Sequence, residues 1–422
     1  MPFTRGSVSY ARFRLAGDVP SRLEDAVFDA LKANVLRPTI GVPVERECGW
    51  TAGEHILDQD FTREHCGFGE SLHAAMRLDR VRVPAELKRA YLAQEQRAAM
   101  LARSDESSAP GLPVRPLGRN ERRDAKEAAE RRWLEEVSDG RHRSSALVPF
   151  LWDLAHGTLL APAASDRVVD ALRDLVQTTF GGRLKPVSAG SIALDVLAGK
   201  GLSGRFDDAL PDAFGDPPTP RTAELAAMVS DRPEVPWSQA GPEPKDFLGN
   251  AFLIWLWMRS EQREGSVDLP DGRGISLLVD RTIDMECAWG VTGRQSLRGD
   301  APGRSAEASK ALQQGKWPRR LGLVVSDGFS EWSLDLQGDL FRIGGLKLPK
   351  PEEKPGSERE AIEQRIESIQ TIDGVLHGLY ETFLLERFGD GWSSRRQEIV
   401  GWIAAKGRRP MPSAPVVEMS SG

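Results

Sequence analysis

The sequence predicts an α+β protein in which helices pack on antiparallel sheets. Three observations lead there. Stretches of alternating polarity stand beside stretches with apolar residues at helical spacing, in a strand-helix-strand order that recurs without a detectable sequence repeat. Hydrophobic residues make up 40% of the 422-residue chain, enough for two or three cores of ordinary domain size. A segment rich in proline and acids, FDDALPDAFGDPPTP, lies near the middle and reads as a boundary. The expected organisation is an N-terminal α+β domain over 1–200 with protruding charged helices at 84–143, a linker or irregular boundary over 201–245, a second α+β domain over 246–390, and a terminal helix and disordered tail over 391–422.

Taken in order, Ser7 to Leu15 alternates Val8, Tyr10 and Arg12 against Ser9, Ala11 and Phe13, a strand partly covered on both faces. Pro20 and Ser21 open a helix whose Leu23, Val27, Leu31 and Val35 form an apolar stripe. After a glycine-rich loop, Leu72 to Val83 is a strand. Pro84 then starts a second helix, with Leu87, Ala90, Tyr91, Ala98 and Leu101 on one face. Ser104 to Leu117 is a loop, and a helix begins near Arg119. Ala146 to Asp153 and Thr158 to Ala161 are strands, and Asp166 to Phe180 is a helix ended by Gly181 and Gly182. In the second half, FLGNAFLIWLWMRSE is apolar around its whole circumference and predicts a buried central helix. Strands are expected at Gly274 to Trp289, Arg320 to Ser326 and Glu331 to Gln337, with a helix over Ser305 to Gln314. The long helix from Ser357 to Phe388 carries an apolar stripe interrupted by Asp373 and Gly374. The tail from Arg408 reads as disordered.

A net charge of -6 argues against a protein that coats nucleic acid with its whole surface, while leaving room for a local basic lining. Three cysteines, Cys48, Cys66 and Cys287, are too few and too scattered for a disulfide framework, which fits a reducing interior. The first fifteen residues lack the apolar core of a signal peptide, and the longest apolar run, Phe247 to Met258, is shorter than the ~20 residues a membrane-spanning helix needs. A cytoplasmic protein with no membrane partner is expected.

The most concentrated positive charge lies between Arg115 and Arg143. In a helix starting near Arg119, the ~100° step per residue places Arg119, Arg122, Arg123 and Lys126 on one face, joined by Trp133. These like charges at three- and four-residue spacing each cost ~0.2–0.5 kcal/mol, and they crowd a helix N-terminus that prefers acids. An anionic partner would relieve both penalties. Basic residues outnumber acidic ones only nine to seven over the stretch, so a solvated mixed-charge helix and a phosphate-binding face both remain open on pattern.

The order of elements, Gly49-Trp50, the charged helical pair, RHRSSALVPFLWDL and the DRVVDALRDLVQTTFG helix together resemble the bacterial recombination-associated protein RdgC family. FLGNAFLIWLW and LKLP, at Leu346 to Pro349, resemble its longer members. The resemblance covers Ser7 to about Phe388. It implies a ring-shaped homodimer that encircles duplex DNA without sequence preference, associates with the nucleoid and restrains RecA-type strand exchange. Carried over by position, it implies DNA contacts from Lys88, Arg89, Arg97, Arg115, Arg119, Arg122, Arg123, Lys126, Arg131, Arg132, Arg141 and Arg143. Shorter relatives carry a Pro-Arg and aromatic cluster where this chain has Gly140, Arg141, His142 and Arg143.

Enzymatic readings are weaker. Gly199 and Lys200 lack the upstream glycine of a phosphate-cradling loop, and no G-x-S-x-G elbow is present. Asp280, Asp284 and Glu286 are the best candidates to hold Mg²⁺ for a nuclease, although alternating acids are ordinary on an exposed strand face. Cys48, His55, His65, Cys66 and His73 include zinc-ligand types but follow no finger or ribbon spacing. Trp133, Trp152, Trp237 and Trp289 have the chemistry to stack bases, but tryptophans more often anchor cores. The expectation is therefore a non-enzymatic DNA-binding homodimer without cofactor or metal; a Mg²⁺-dependent nuclease and a protein-interaction scaffold without DNA affinity are the alternatives.

Overall fold

The computed structural model describes residues 3–39, 41–42, 44–106, 116–162, 165–218, 236–237, 241–351 and 355–406. The chain begins with β1 (Val8–Ala16), α1 (Asp25–Ala33), β2 (Arg46–Thr51), α2 (Arg63–Cys66), β3 (Gly67–Phe68) and β4 (Ser71–Val81). Two helices follow, α3 (Ala85–Glu106) and α4 (Arg119–Ser138), then β5 (Arg143–Asp153), β6 (Thr158–Ala161), α5 (Asp166–Phe180), β7 (Arg183–Pro186), α6 (Ala189–Gly199) and α7 (Ser203–Asp207). Next come α8 (Phe247–Glu261), β8 (Ser266–Asp268), β9 (Gly274–Cys287), β10 (Gln295–Gly299), α9 (Ala306–Gln313) and β11 (Lys316–Ser326). The chain continues with β12 (Glu331–Gln337), β13 (Arg342–Lys347), α10 (Glu358–Arg387) and α11 (Trp392–Ala405). This is an α+β fold built on antiparallel pairing. It divides into two compact units, one of residues 1–15, 158–163 and 184–422, the other of residues 16–157 and 164–183. The N-terminal strand thus belongs with the C-terminal half, an interleaving that a single boundary at 201–245 does not anticipate.

In the first unit, strands run in the order β10-β9-β11-β12-β13-β1-β6, antiparallel at each step, with β8 paired to β9. Helix α8 lies against β9 and β11 and also against α10. Being covered on several sides explains its apolar circumference: Phe252, Leu253, Ile254, Trp255, Leu256 and Trp257 are all fully buried. Phe252 meets Tyr380 at 5.0 Å and Phe383 at 5.6 Å between ring centroids. Gly249 allows a backbone crossing, since a Cβ there would collide with the Gly338 carbonyl oxygen.

Of the two readings of 201–245, linker or irregular boundary, the segment where it is described is packed and irregular, not a free linker. Phe206, Phe214 and Trp237 are buried, and Phe214 and Trp237 pack on Trp317 at 5.5 and 6.3 Å. Aromatic anchors embedded in a Pro- and Asp-rich stretch carry no periodicity, which is why composition alone misreads them. The tail from Arg408 lies outside the described residues.

In the second unit, β2, β4 and β5 form an antiparallel sheet with β3 on β4. Helices α1 and α5 contact each other and β2. Trp50 is buried beneath them, 5.2 Å from Phe150, and its indole N–H donates to Thr179 Oγ1 at 2.7 Å. Gly49 has a steric reason to precede it: a Cβ there would collide with the Leu36 backbone nitrogen, where Trp50 N donates to the Asn34 carbonyl at 2.9 Å. Helix α1 starts later than Pro20 and Ser21 predict. Leu23 is buried ahead of the helix with its N–H donating to Glu70, Glu24 is the extended N-cap residue, and Val35 lies beyond the helix in a bridge to Trp50.

Strands β4 and β5 pair without a slip from Ser71↔Asp153 to Val81↔Arg143, and Arg82 N donates to the His142 carbonyl at 3.0 Å. Helices α3 and α4 are therefore an excursion whose two ends are fastened at one point on the sheet.

Candidate nucleic-acid interface

Helices α3 and α4 pack along each other. The predicted stripe on α3 is only partly right. Leu87 and Tyr91 are half-buried, but Ala90, Ala98 and Leu101 are exposed, and Leu92, Glu95 and Ala99 are half-buried instead. A single partner helix covers a narrower band than a sheet does, and α4 meets it with the small residues Ala125 and Ala129.

Near the sheet, the helices are joined by polar and cation-π contacts. Tyr91 OH donates to Glu136 at 2.5 Å, His142 Nε2 lies 3.2 Å from the same carboxylate, and Arg132 stacks 4.6 Å over the Tyr91 ring while reaching Gln94 at 3.1 Å and Glu95 at 3.0 Å. The Tyr91 hydroxyl holds the Glu136 carboxyl below its ordinary range. Lys88 Nζ sits 4.6 Å above Trp133.

These contacts separate the expected DNA-binding residues into two groups. Arg143 is committed to the fold, its guanidinium donating to Glu47 at 2.6 Å and to the Thr39 carbonyl at 2.8 Å, with Asp79 3.4 Å away. Arg141 pairs with Asp139 and lies 3.8 Å from Glu136, Arg132 pairs with Glu95, and exposed Arg89 pairs with Glu86 at 3.0 Å. Arg123 has only loose exposed partners, Asp124 at 3.6 Å and Glu127 at 3.7 Å. Arg97, Arg119, Arg122, Lys126 and Arg131 are exposed and have no ion pair among the described residues. Arg115 lies outside the described residues.

The helix starts where the sequence places it, at Arg119, with Glu121 reaching back to accept from the Gly118 N–H at 2.6 Å. One limit escaped the sequence reading. Glu130 lies four residues after Lys126 on the same face, and α4 as a whole carries six basic and six acidic side chains. Net positive charge is therefore confined to its first two turns, where four of the cations meet two acids.

The other candidate sets are dispersed. Among the acids of β9, Asp280 accepts from Ala301 N at 3.2 Å, Asp284 lies 3.8 Å from Arg320, and Glu286 lies 3.1 Å from Arg319 and 3.4 Å from Arg294. Each faces an arginine or a backbone donor. Asp335 of β12 is raised above the ordinary carboxylate range by burial, opposed by Arg320 and reinforced by Asp284. Trp152, Trp237 and Trp289 are buried as core anchors, and Trp133 is half-buried beneath Lys88.

Nor do the five Cys and His candidates converge. Burial raises the Cys48 thiol and pushes that of Cys66 up to about 12; the Cys66 Sγ faces the Ala52 and Asp60 carbonyls, both at 3.7 Å. His73 is buried, which pushes its imidazole down to about 4, and exposed His55 accepts from Leu57 N at 3.2 Å. His65 instead meets Asp58 at 3.0 Å, beside Glu54, two residues the sequence reading passed over. Among the described residues no helix is long and apolar enough to cross a membrane. No family model matches the chain, and no curated protein is significantly similar to it.

Proposed function

We propose that the chain binds duplex DNA without sequence preference through the first turns of α4, as a homodimer that acts in homologous recombination. The observation that carries the reading is the group Arg119, Arg122 and Lys126, exposed on one face without an ion pair among the described residues, with Arg123 only loosely held. Arg97 and Arg131 are the other uncommitted candidates; Arg143 is left out of the contact set because its charge is already spent on Glu47 and Asp79. Phosphate contacts of this kind fix position and carry no base identity. Encirclement by a ring and restraint of RecA-type strand exchange belong to the same proposal and rest on the sequence resemblance.

The test is the salt dependence of duplex binding. Each phosphate neutralised contributes about -0.9 to the log-log slope, so changing Arg119, Arg122, Arg123 and Lys126 to Ala should flatten the slope by up to about 3.6 per protomer, equally for unrelated duplexes. Unchanged affinity and slope in a folded variant would reject this helix as the contact. The equal count of acids and bases on α4 favours, as the second reading, docking of a protein partner, in which case no mobility shift appears even at low salt. Neither reading includes catalysis, so labelled DNA should survive incubation with Mg²⁺ or Mn²⁺. Cleavage abolished by Asp284→Ala would establish the nuclease instead.

A further inference from the structure

We propose that Glu54, Asp58 and His65 form a binding site for one divalent transition-metal ion of the Mn²⁺ or Zn²⁺ class. Their ligand atoms, two carboxylate oxygens and one imidazole nitrogen, all lie within 4.8 Å of one another. His65 Nε2 and Asp58 Oδ2 are 3.0 Å apart. Two ligands at ~2.0–2.2 Å from one metal ion are separated by roughly 3–3.5 Å, so this pair already spans one edge of a coordination polyhedron. Glu54 is exposed, and its side chain makes no hydrogen bond or ion pair among the described residues, which leaves it free to close the third position.

The local backbone holds the central ligand in place. Thr51, the last residue of β2, donates its hydroxyl to the Asp58 carbonyl at 2.7 Å, and Ala52 N donates to the same oxygen at 3.0 Å. The Asp58 carboxylate, 7% exposed, accepts from Glu54 N at 2.9 Å through Oδ2 and from Asp60 N at 3.1 Å through Oδ1. Such outer-shell donors orient a carboxylate and leave lone pairs for an ion. His65 comes from α2, whose first turn is capped by Thr62.

Charge balance points the same way. Glu54, Asp58 and Asp60 have no lysine or arginine ion partner among the described residues, so a divalent cation seated between Glu54, Asp58 and His65 would offset carboxylate charge that no such side chain offsets there. The imidazole nitrogen favours a transition-metal ion over Ca²⁺, which takes oxygen ligands, and the absence of a thiolate disfavours a soft metal. Cys66, the adjacent residue, is directed at backbone carbonyls instead.

The experiment uses the full chain without an affinity tag, stripped with a chelator and titrated with MnCl₂, free Mn²⁺ being read by electron paramagnetic resonance and bound metal by elemental analysis. One equivalent of Mn²⁺ should bind, be displaced by ZnCl₂, and raise the melting temperature. Glu54→Gln and His65→Gln should each weaken binding at least roughly tenfold, the lower end of what even outer-shell losses cost. Glu54→Gln alters an exposed side chain without partners among the described residues, so it decides the matter if His65→Gln fails to fold. Absence of stoichiometric binding, or equal binding by a folded Glu54→Gln variant, would overturn the proposal.

Discussion

Asp373 interrupts the apolar stripe of α10, and its neighbours explain why a carboxylate is tolerated there. Arg12 donates through Nε to both of its oxygens at 2.7 and 2.9 Å, and Tyr10 OH donates at 2.9 Å. Arg12 is only 6% exposed and also donates to the Phe341 carbonyl at 2.7 Å. Burial alone would lower the Arg12 pKa, but Asp373 more than offsets it and the group stays above its ordinary value. Asp373→Ala should therefore destabilise the chain by about 3–5 kcal/mol, because it strands a buried guanidinium; urea unfolding checks this, and a loss under about 1 kcal/mol would show that water reaches Arg12. His73 gives a residue-level pH prediction. Its folded pKa of about 4 lies below the ordinary imidazole value of 6.5, so the unfolded chain binds the extra proton first as pH falls. This contribution is complete above about pH 6.5 and is lost as the pH drops toward 4, on the order of 3 kcal/mol at most. A His73→Gln variant should show a shallower fall in stability across that window, measured as unfolding midpoints at several pH values; an identical slope would remove His73 as a cause.

At the scale of elements, what could be read in the sequence is what local chemistry decides. Helix α5 runs from Asp166 to Phe180 as predicted, because an apolar face, an initial acid and a left-handed Gly181 all act within one segment. Gly181 has φ 70°, and a Cβ added there would meet nothing within 4 Å, so Gly181→Ala should cost about 1–2 kcal/mol through backbone conformation alone, readable in a denaturant titration. Helix α8 was equally legible, since an apolar circumference has few other uses. The α3 stripe, the start of α1 and the anchors Phe214 and Trp237 were not, because each depends on which distant surface arrives to cover it. The same division holds for the candidate sites. The four cations of α4 could be placed on one face by counting, whereas the engagement of Arg143 by Glu47 and Asp79 depends on strand register, and the meeting of His65 with Glu54 and Asp58 depends on a loop.

On the scale of the whole molecule, a net charge of -6 repels DNA at long range, so any attraction must come from a patch whose field prevails only near contact. This makes the proposed binding unusually dependent on salt and on the number of patches presented together. A homodimer would have a solution mass of about 93 kDa, twice the 46.4 kDa chain. It would bring two copies of the Arg119, Arg122, Arg123 and Lys126 group, and the effective concentration of the second patch once the first is bound raises affinity without new contacts. Light scattering combined with binding titrations at several salt concentrations tests the two halves together. The expected result is a ~93 kDa species whose total slope exceeds what the four cations of one protomer can supply, about 3.6, and which falls below that value in the quadruple Ala variant. A 46.4 kDa monomer that keeps the larger slope would reject the dimer while sparing the DNA contact. A ~93 kDa species whose slope the four substitutions leave unchanged would do the reverse, and would move the search for the contact to Arg97 and Arg131.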